Sequence, residues 1–170
     1  MAIKEYRGVI DDGTREVPLY NKFGKLICNI YIRPSDLSIL DRYNQLTTDF
    51  KDIVKPLERL HLKDDGTVTF EDEWAVLKEV EAELKQRFNA LFDMDEADAI
   101  FATRNPFYDV GNGRFYSQNV LEVIGNIIME AIEDEMKESK ERTDPYLNDI
   151  QPQPTETEVS DDDRTASTKS

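Results

Sequence analysis

Residues 77–136 read LKEVEAELKQRFNALFDMDEADAIFATRNPFYDVGNGRFYSQNVLEVIGNIIMEAIEDEM, and this stretch decides the fold. Two segments of regular apolar spacing enclose an acidic connector (Asp93-Met94-Asp95-Glu96-Ala97-Asp98), an Ile100-Phe101 anchor and an aromatic loop. In the first segment Phe70, Trp74, Leu77, Val80 or Glu81, Leu84, Phe88 and Leu91 recur at three- and four-residue steps, which predicts a helix beginning at Phe70. Thr69 is placed to cap it, and Glu71, Asp72 and Glu73 suit the positive end of the helix dipole. In the second segment Val120, Leu121, Ile124, Ile127, Ile128, Ala131, Ile132 and Met136 form an apolar stripe, with Ser117 as the expected cap. Between them the connector predicts at most a short helix ending at Phe101. Thr103–Phe115, with Pro106, Gly111 and Gly113, predicts a loop.

Toward the N-terminus, Pro34-Ser35-Asp36 opens another helix, capped by Ser35 or Asp36. Its stripe is Leu37, Leu40, Tyr43, Leu46 or Thr47, Phe50, Ile53 or Val54, Leu57 and Leu60, and Pro56 is expected to kink or interrupt it. Arg15–Tyr20 and Lys25–Arg33 are β-prone runs flanking Asn21-Lys22-Phe23-Gly24, the signature of a hairpin. Leu26, Cys28, Ile30 and Ile32 form its expected core face, with Cys28 as a buried structural thiol, and Pro18 suits an edge strand. A two-stranded hairpin is marginal in water, so it must lie on the helices. Residues 1–14 read as a flexible N-terminus with a turn at Asp11-Asp12-Gly13. Residues 139–170, with Pro145, Pro152, Pro154 and Ser160-Asp161-Asp162-Asp163, read as a disordered acidic tail. The expected fold is α+β, mainly α: an N-terminal β-hairpin packed on a three- to four-helix domain spanning residues 15–138.

Composition narrows the function. At 170 residues the chain fits one domain plus a tail. A folded part of about 125 residues buries roughly two-thirds of its unfolded surface and needs no metal or disulfide staple. Net charge is −15 and the pI is near 4.4. Residues 1–34 carry +2 and residues 139–170 carry −4, which leaves −13 on residues 35–138. Nucleic-acid binding rests on cations displacing counterions from phosphates, so this balance argues against nucleic acid and against anionic membranes. Cys28 is the single cysteine, so no intrachain disulfide forms and a reducing cytoplasm is the expected compartment. The first residues lack the apolar run of a signal peptide, and no 18-residue apolar stretch occurs.

No segment carries a recognisable catalytic pattern, and neither a cofactor nor a metal is expected. Residues 61–72 have the outline of a calcium loop, but His61, Lys63 and Asp72 stand where such a loop needs two oxygen donors and a bidentate Glu. Asp93, Asp95, Glu96 and Asp98 lack His or a flanking Gly turn, so they read as a solvated acidic patch rather than a metal site. His61 is the only histidine, which leaves a histidine-based triad or a multi-His zinc site without its parts. Gly111-Asn112-Gly113 is too short for a phosphate loop, and no Lys-Ser/Thr follows it. Phe107, Tyr108, Phe115 and Tyr116 have two readings: they close over the core between the last two helices, or they form a partner-binding lip. The acidic faces likewise are solvated surface, or they recognise a basic partner helix.

The order of these pieces resembles a known family. A hairpin gives way at Pro34-Ser35-Asp36 to a helix carrying Asp41-Arg42-Tyr43. An acidic helix then ends in Phe88-Asn89-Ala90-Leu91-Phe92-Asp93, and an acidic connector, Ala99-Ile100-Phe101, an aromatic loop and a last amphipathic helix follow. Over roughly residues 15–138 this is similar to the small tail assembly chaperones of long-tailed phages and prophages of Gram-positive bacteria. The sharpest local likeness is Leu91–Phe101, although Asp93–Ala97 replaces the family's glycine-containing turn and a longer loop follows Phe101. The resemblance implies a non-enzymatic factor that binds the tape measure protein and recruits tail tube subunits. It would act in the host cytoplasm and be absent from the mature virion, and self-association stays open. Asp93, Asp95, Glu96, Asp98, Phe107, Tyr108, Phe115 and Tyr116 are the candidate partner-binding residues. The alternatives are a minor structural tail or connector protein of the virion, and an acidic inhibitor or mimic that binds a host protein.

Overall fold

The computed structural model describes residues 7–61 and 70–148. The expected calcium-like loop falls mostly outside those residues, as do Thr69 and the tail from 149 onward. Strands β1 (Arg15–Tyr20) and β2 (Leu26–Ile32) form an antiparallel hairpin. Helices α1 (Ser38–His61), α2 (Phe70–Phe92), α3 (Ala97–Ile100) and α4 (Tyr116–Asn148) follow. The fold is α+β and mainly helical, as the spacing of apolar residues predicts.

Alternation decides how the hairpin sits. Val17 pairs with Ile30 and Leu19 with Cys28 on one face, and Glu16 with Tyr31 and Pro18 with Asn29 on the other. Leu19, Ile30 and Ile32 are buried, whereas Cys28 is only half-buried. Leu26 shares the inner face but lies at the open tip, and a register shift after Leu19 places it opposite Tyr20, so it is exposed. The Asn21 side chain accepts hydrogen bonds from the Phe23 and Lys25 amides, and Gly24 takes the positive φ that closes the turn.

Helix α1 starts one turn later than its polar opening. Asp36 accepts from the Ser38 amide at 3.1 Å, making it the cap, and its carboxyl is held below the usual range by bonds from Ser38 and Arg42. Ile39 rather than Leu37 enters the core, since Leu37 precedes the first helical turn. Of the expected kink or interruption, the helix shows no interruption at Pro56 and runs on to His61. The proline removes the bond its missing N–H would make to Asp52, while buried Ile53, Val54 and Leu57 hold both sides of that gap. Helix α2 runs antiparallel to α1: Arg42 meets Leu91, Asp49 meets Arg87, and Leu57 meets Leu77. Val80, Leu84, Phe88, Leu91 and Phe92 are buried, but Trp74 is 52% exposed. It sits in the first turns of α2, beyond the reach of that core.

Helix α4 adds Val120, Leu121, Ile124, Ile128 and Ile132 to the same core, and Met136 is exposed. The Arg15–Glu135 ion pair, at 2.8 Å, joins it to β1. Residues up to Met136 form one compact unit; the remainder of the described chain is the end of α4. Disorder was expected from residue 139, but the helix runs through Pro145 to Asn148. The Thr143 hydroxyl donates back to the Ser139 carbonyl at 2.7 Å, and the Arg142 guanidinium to the Glu138 carbonyl at 3.3 Å, while residues 137–145 are exposed.

Ser117 does not cap α4. The helix begins at Tyr116, Gln118 reaches back to accept from the Phe115 amide at 2.8 Å, and the Ser117 hydroxyl is buried without a hydrogen-bond partner. Two stability tests follow from this packing. Ser117→Ala is expected to be neutral or stabilising, because an unpaired buried hydroxyl costs about 1–3 kcal/mol; a capping serine would instead lose about 1 kcal/mol in urea unfolding. A Cβ on Gly125 of α4 would overlap the Tyr43 hydroxyl and ring of α1. Gly125→Ala is therefore expected to destabilise by about 1–3 kcal/mol, with partial recovery in a Tyr43→Leu background measured by the same unfolding curves.

Candidate functional site

Where the end of α1 meets the start of α2, the described residues leave a shallow depression with apolar lining. Leu57 and Leu60 face Trp74 and Leu77 across a depression of about 230 Å³, closed on one side by Phe107 and Phe115. A second depression, of about 460 Å³, continues along α1 past Thr47, Phe50 and Val54, with Gly113, Phe115 and Gln118 opposite. Both are lined by Leu57 and Phe115, so together they form one groove. Its charged groups are Glu58 and Lys51 on α1 and Glu73 on α2. The Lys78 ammonium lies over the Trp74 ring, 5.0 Å from its centroid.

The aromatic loop forms the wall opposite α1. Asp109 and Phe115 pair as an isolated antiparallel bridge, and the Val110 amide donates to the Arg114 carbonyl at 3.0 Å. Gly111, Asn112 and Gly113 all take positive φ, which lets the chain reverse within a few residues. Buried Pro106 anchors the loop, and its carbonyl accepts from the Ser117 amide at 2.9 Å. This ties the loop's entry to the first turn of α4.

The structure divides the eight sequence-derived candidates into two groups. Phe107 and Phe115 line the groove and pack edge-to-face, their centroids 5.7 Å apart. Tyr108 is half-exposed beside them, under the Arg104 guanidinium at 4.9 Å. Tyr116 turns inward onto Phe101, which meets Phe88 at 5.1 Å. The closing-over reading thus describes Tyr116 and part of Phe107 and Phe115, and the lip reading remains for Tyr108 and the outer edges of that pair. Asp93, Asp95 and Asp98 are exposed at the other end of α2, which at 1.5 Å per residue lies about 27 Å from Trp74. They are not part of the groove. Among the described residues no group of three or more acidic, His or Cys side chains is arranged to hold a metal ion.

Glu96 departs from the solvated patch it was read into. It is 6% exposed, because α3 packs on β2 and carries its first residues against the hairpin. Burial pushes its carboxyl pKa above the usual range, and the Tyr31 backbone amide opposes that shift. Burial also raises the Cys28 thiol, with the Glu96 carboxylate adding to it. This is a structural carboxyl at the hairpin–connector joint, with no route to the groove.

Apolar spacing alone places Trp74, Leu57 and Leu60 in ordinary core and does not reveal the groove. The available signal was Trp74 standing beside Glu71, Asp72 and Glu73, since a large ring in a charged first turn has few apolar neighbours. Comparison of the chain with family patterns, curated proteins and solved structures finds no match. Among the described residues no helix is long and apolar enough to cross a membrane.

The raised Glu96 pKa has a defined sign. The folded state holds that proton more tightly than the unfolded chain, so its contribution to stability is full below the ordinary carboxyl value of 4.5 and is lost as pH rises through the folded value. Glu96→Gln retains an acceptor for the Tyr31 amide and removes the charge. Thermal melts from about pH 4 to about pH 7 should show little difference at the acid end and a growing advantage for the variant toward neutrality. A constant difference across the range would mean that the carboxyl titrates normally.

Proposed function

We propose that this chain is a non-enzymatic tail assembly chaperone of a long-tailed phage or prophage of a Gram-positive host. In this role it binds the tape measure protein and brings tail tube subunits to it. The observation that carries the proposal is a shallow groove, lined mainly by apolar side chains among the described residues, set in a body of strongly negative charge. Apolar surface gives a helical client something to bury, and the charge steers the encounter and keeps the free protein dispersed. The resemblance in element order, from the Pro34-Ser35-Asp36 opening to the Ile100-Phe101 anchor, supplies the identity of the client. The proposed site of action is the host cytoplasm during assembly, with departure before the virion is complete.

The acidic body also suits a mimic that occupies a basic host protein, and one experiment separates these readings. Tagged protein is recovered from phage-producing cells and its partners are identified by mass spectrometry, with purified virions measured in parallel. Tape measure or tail tube protein in the eluate, with the bait missing from virions, is the expected result. Bait in stoichiometric amount in virions would make it a structural tail component. A host protein alone in the eluate would replace the proposal with the mimic.

A further inference from the structure

The groove has a length, a chemistry and a rim, and together these specify an occupant. Along α1 it runs from Thr47 to Leu60, which at 1.5 Å per residue is about 20 Å, too long for a compact small molecule and matched to three or four turns of helix. Its floor is aliphatic and aromatic, with Val54 and Leu57 beneath and Phe115 and Trp74 at the sides. The rim carboxylates stand on different elements, Glu58 on α1 and Glu73 on α2. Among the described lining residues Lys51 is the cation, placed toward the Thr47 end, and Lys78 stands over the Trp74 ring at the other.

We propose that the groove binds an amphipathic helix of the client, apolar on the inserted face and carrying Lys or Arg along the flanks that meet Glu58 and Glu73. This rests on the chaperone reading for the client's identity, but the chemistry follows from the groove alone. An apolar stripe fills the floor as in other helix-in-groove recognition, and a cation on each flank meets a carboxylate on each wall. A client helix with acidic flanks would face both carboxylates and the −13 body around them. The same rim makes binding salt-sensitive, because Glu58 is exposed and Glu73 half-exposed, leaving their pairs open to screening.

Trp74 is the only tryptophan in the chain, so it reports on this groove without labelling. Full-length protein is titrated with two synthetic peptides of about four to five helical turns that share a Leu stripe. One has Lys on the flanks and the other has Glu. Labelled-peptide anisotropy reads binding, and Trp74 emission reads location. The Lys peptide should bind with a blue shift of Trp74 and weaken with added salt, and the Glu peptide should bind at least about tenfold more weakly.

Glu58→Lys with Glu73→Lys should reverse that preference. Glu130→Lys with Asp134→Lys, exposed positions on α4, changes the net charge equally and should leave the preference intact. Equal loss in both double variants would reduce the effect to overall charge and overturn the proposal. Absence of binding would overturn it as well. Trp74 emission already blue-shifted and unresponsive to peptide would show that the chain covers its own groove, and a blue shift lost on dilution would show a second copy there; either result is equally fatal. The double variant expressed in phage-producing cells separates the two levels of inference. Wild-type capture of the tape measure protein that survives Glu58→Lys/Glu73→Lys would retain the chaperone and discard this groove. Peptide selectivity without tape measure capture would retain the groove and discard the chaperone.

Discussion

How α2 stops governs everything after it. Phe92 is the last residue of the helix, Asp93 takes a left-handed conformation with φ of 56°, and the Met94 amide returns to the Asn89 carbonyl at 3.2 Å. That is the six-to-one closure that commonly ends a helix, here with Asp where Gly is usual. The Asn89 side chain then accepts from the Ala97 amide at 2.8 Å, so one residue both terminates α2 and starts α3. Arg42 completes the joint by donating from Nε to the Leu91 carbonyl at 2.9 Å while its other nitrogens reach Ser38 and Asp36. A carbonyl left open at the end of α2 is thus satisfied by a residue whose other bonds hold the cap of α1. Without this reversal, Ile100 and Phe101 could not turn back onto Phe88.

The reversal has a consequence for the hairpin. Two strands cannot bury enough to persist alone, and it is α3 that covers β2, with Ala97 and Ile100 fully buried at the contact. The same approach draws Glu96 out of water, an electrostatic cost that the Tyr31 amide offsets only in part. The buried carboxyl is therefore best understood as a by-product of bringing the connector close enough to shield the sheet. A Gly or Ala at 96 would avoid the cost but would leave the Tyr31 amide facing an apolar group.

Much of this was legible because the relevant signals are local. Alternation in Leu26–Ile32 placed Ile30 and Ile32 inward, and helical spacing identified Leu84, Phe88, Ile124 and Ile128 as core. The misreadings each involve a tertiary neighbour. Trp74 fits the apolar spacing of α2 yet is half-exposed in its first turns, and Leu37 falls just before the first turn of α1 and stays exposed. Pro56 survives inside α1 because flanking buried residues outweigh one lost hydrogen bond. Ser117 precedes an apolar run as a cap would, but the bridge between Asp109 and Phe115 brings Phe115 and Gln118 into that role first. Glu96 sits among Asp93, Asp95 and Asp98, and composition alone cannot say which of four acids faces a neighbouring strand. The groove was illegible for a related reason: its floor is made of core-type residues, and only the position of the loop shows that part of them is left uncovered.

An open apolar groove is ordinarily a hazard, and the charge distribution determines whether it can persist. Two copies meeting groove to groove would bring their acidic bodies together, so repulsion opposes the contact that the apolar surfaces favour. The groove is also shallow, and several of its floor residues, Phe50, Val54 and Leu57 among them, are already largely buried in the domain. A helix placed there removes limited additional apolar area from water, and it must offset the loss of translational and rotational freedom on binding. Under the proposed role, affinity for any single helix would therefore be modest, and a long client would need many copies, each exchanging independently. That combination favours occupancy while the client is bare and release once a surface of greater complementarity takes its place, which is the behaviour required of a factor that precedes a permanent subunit.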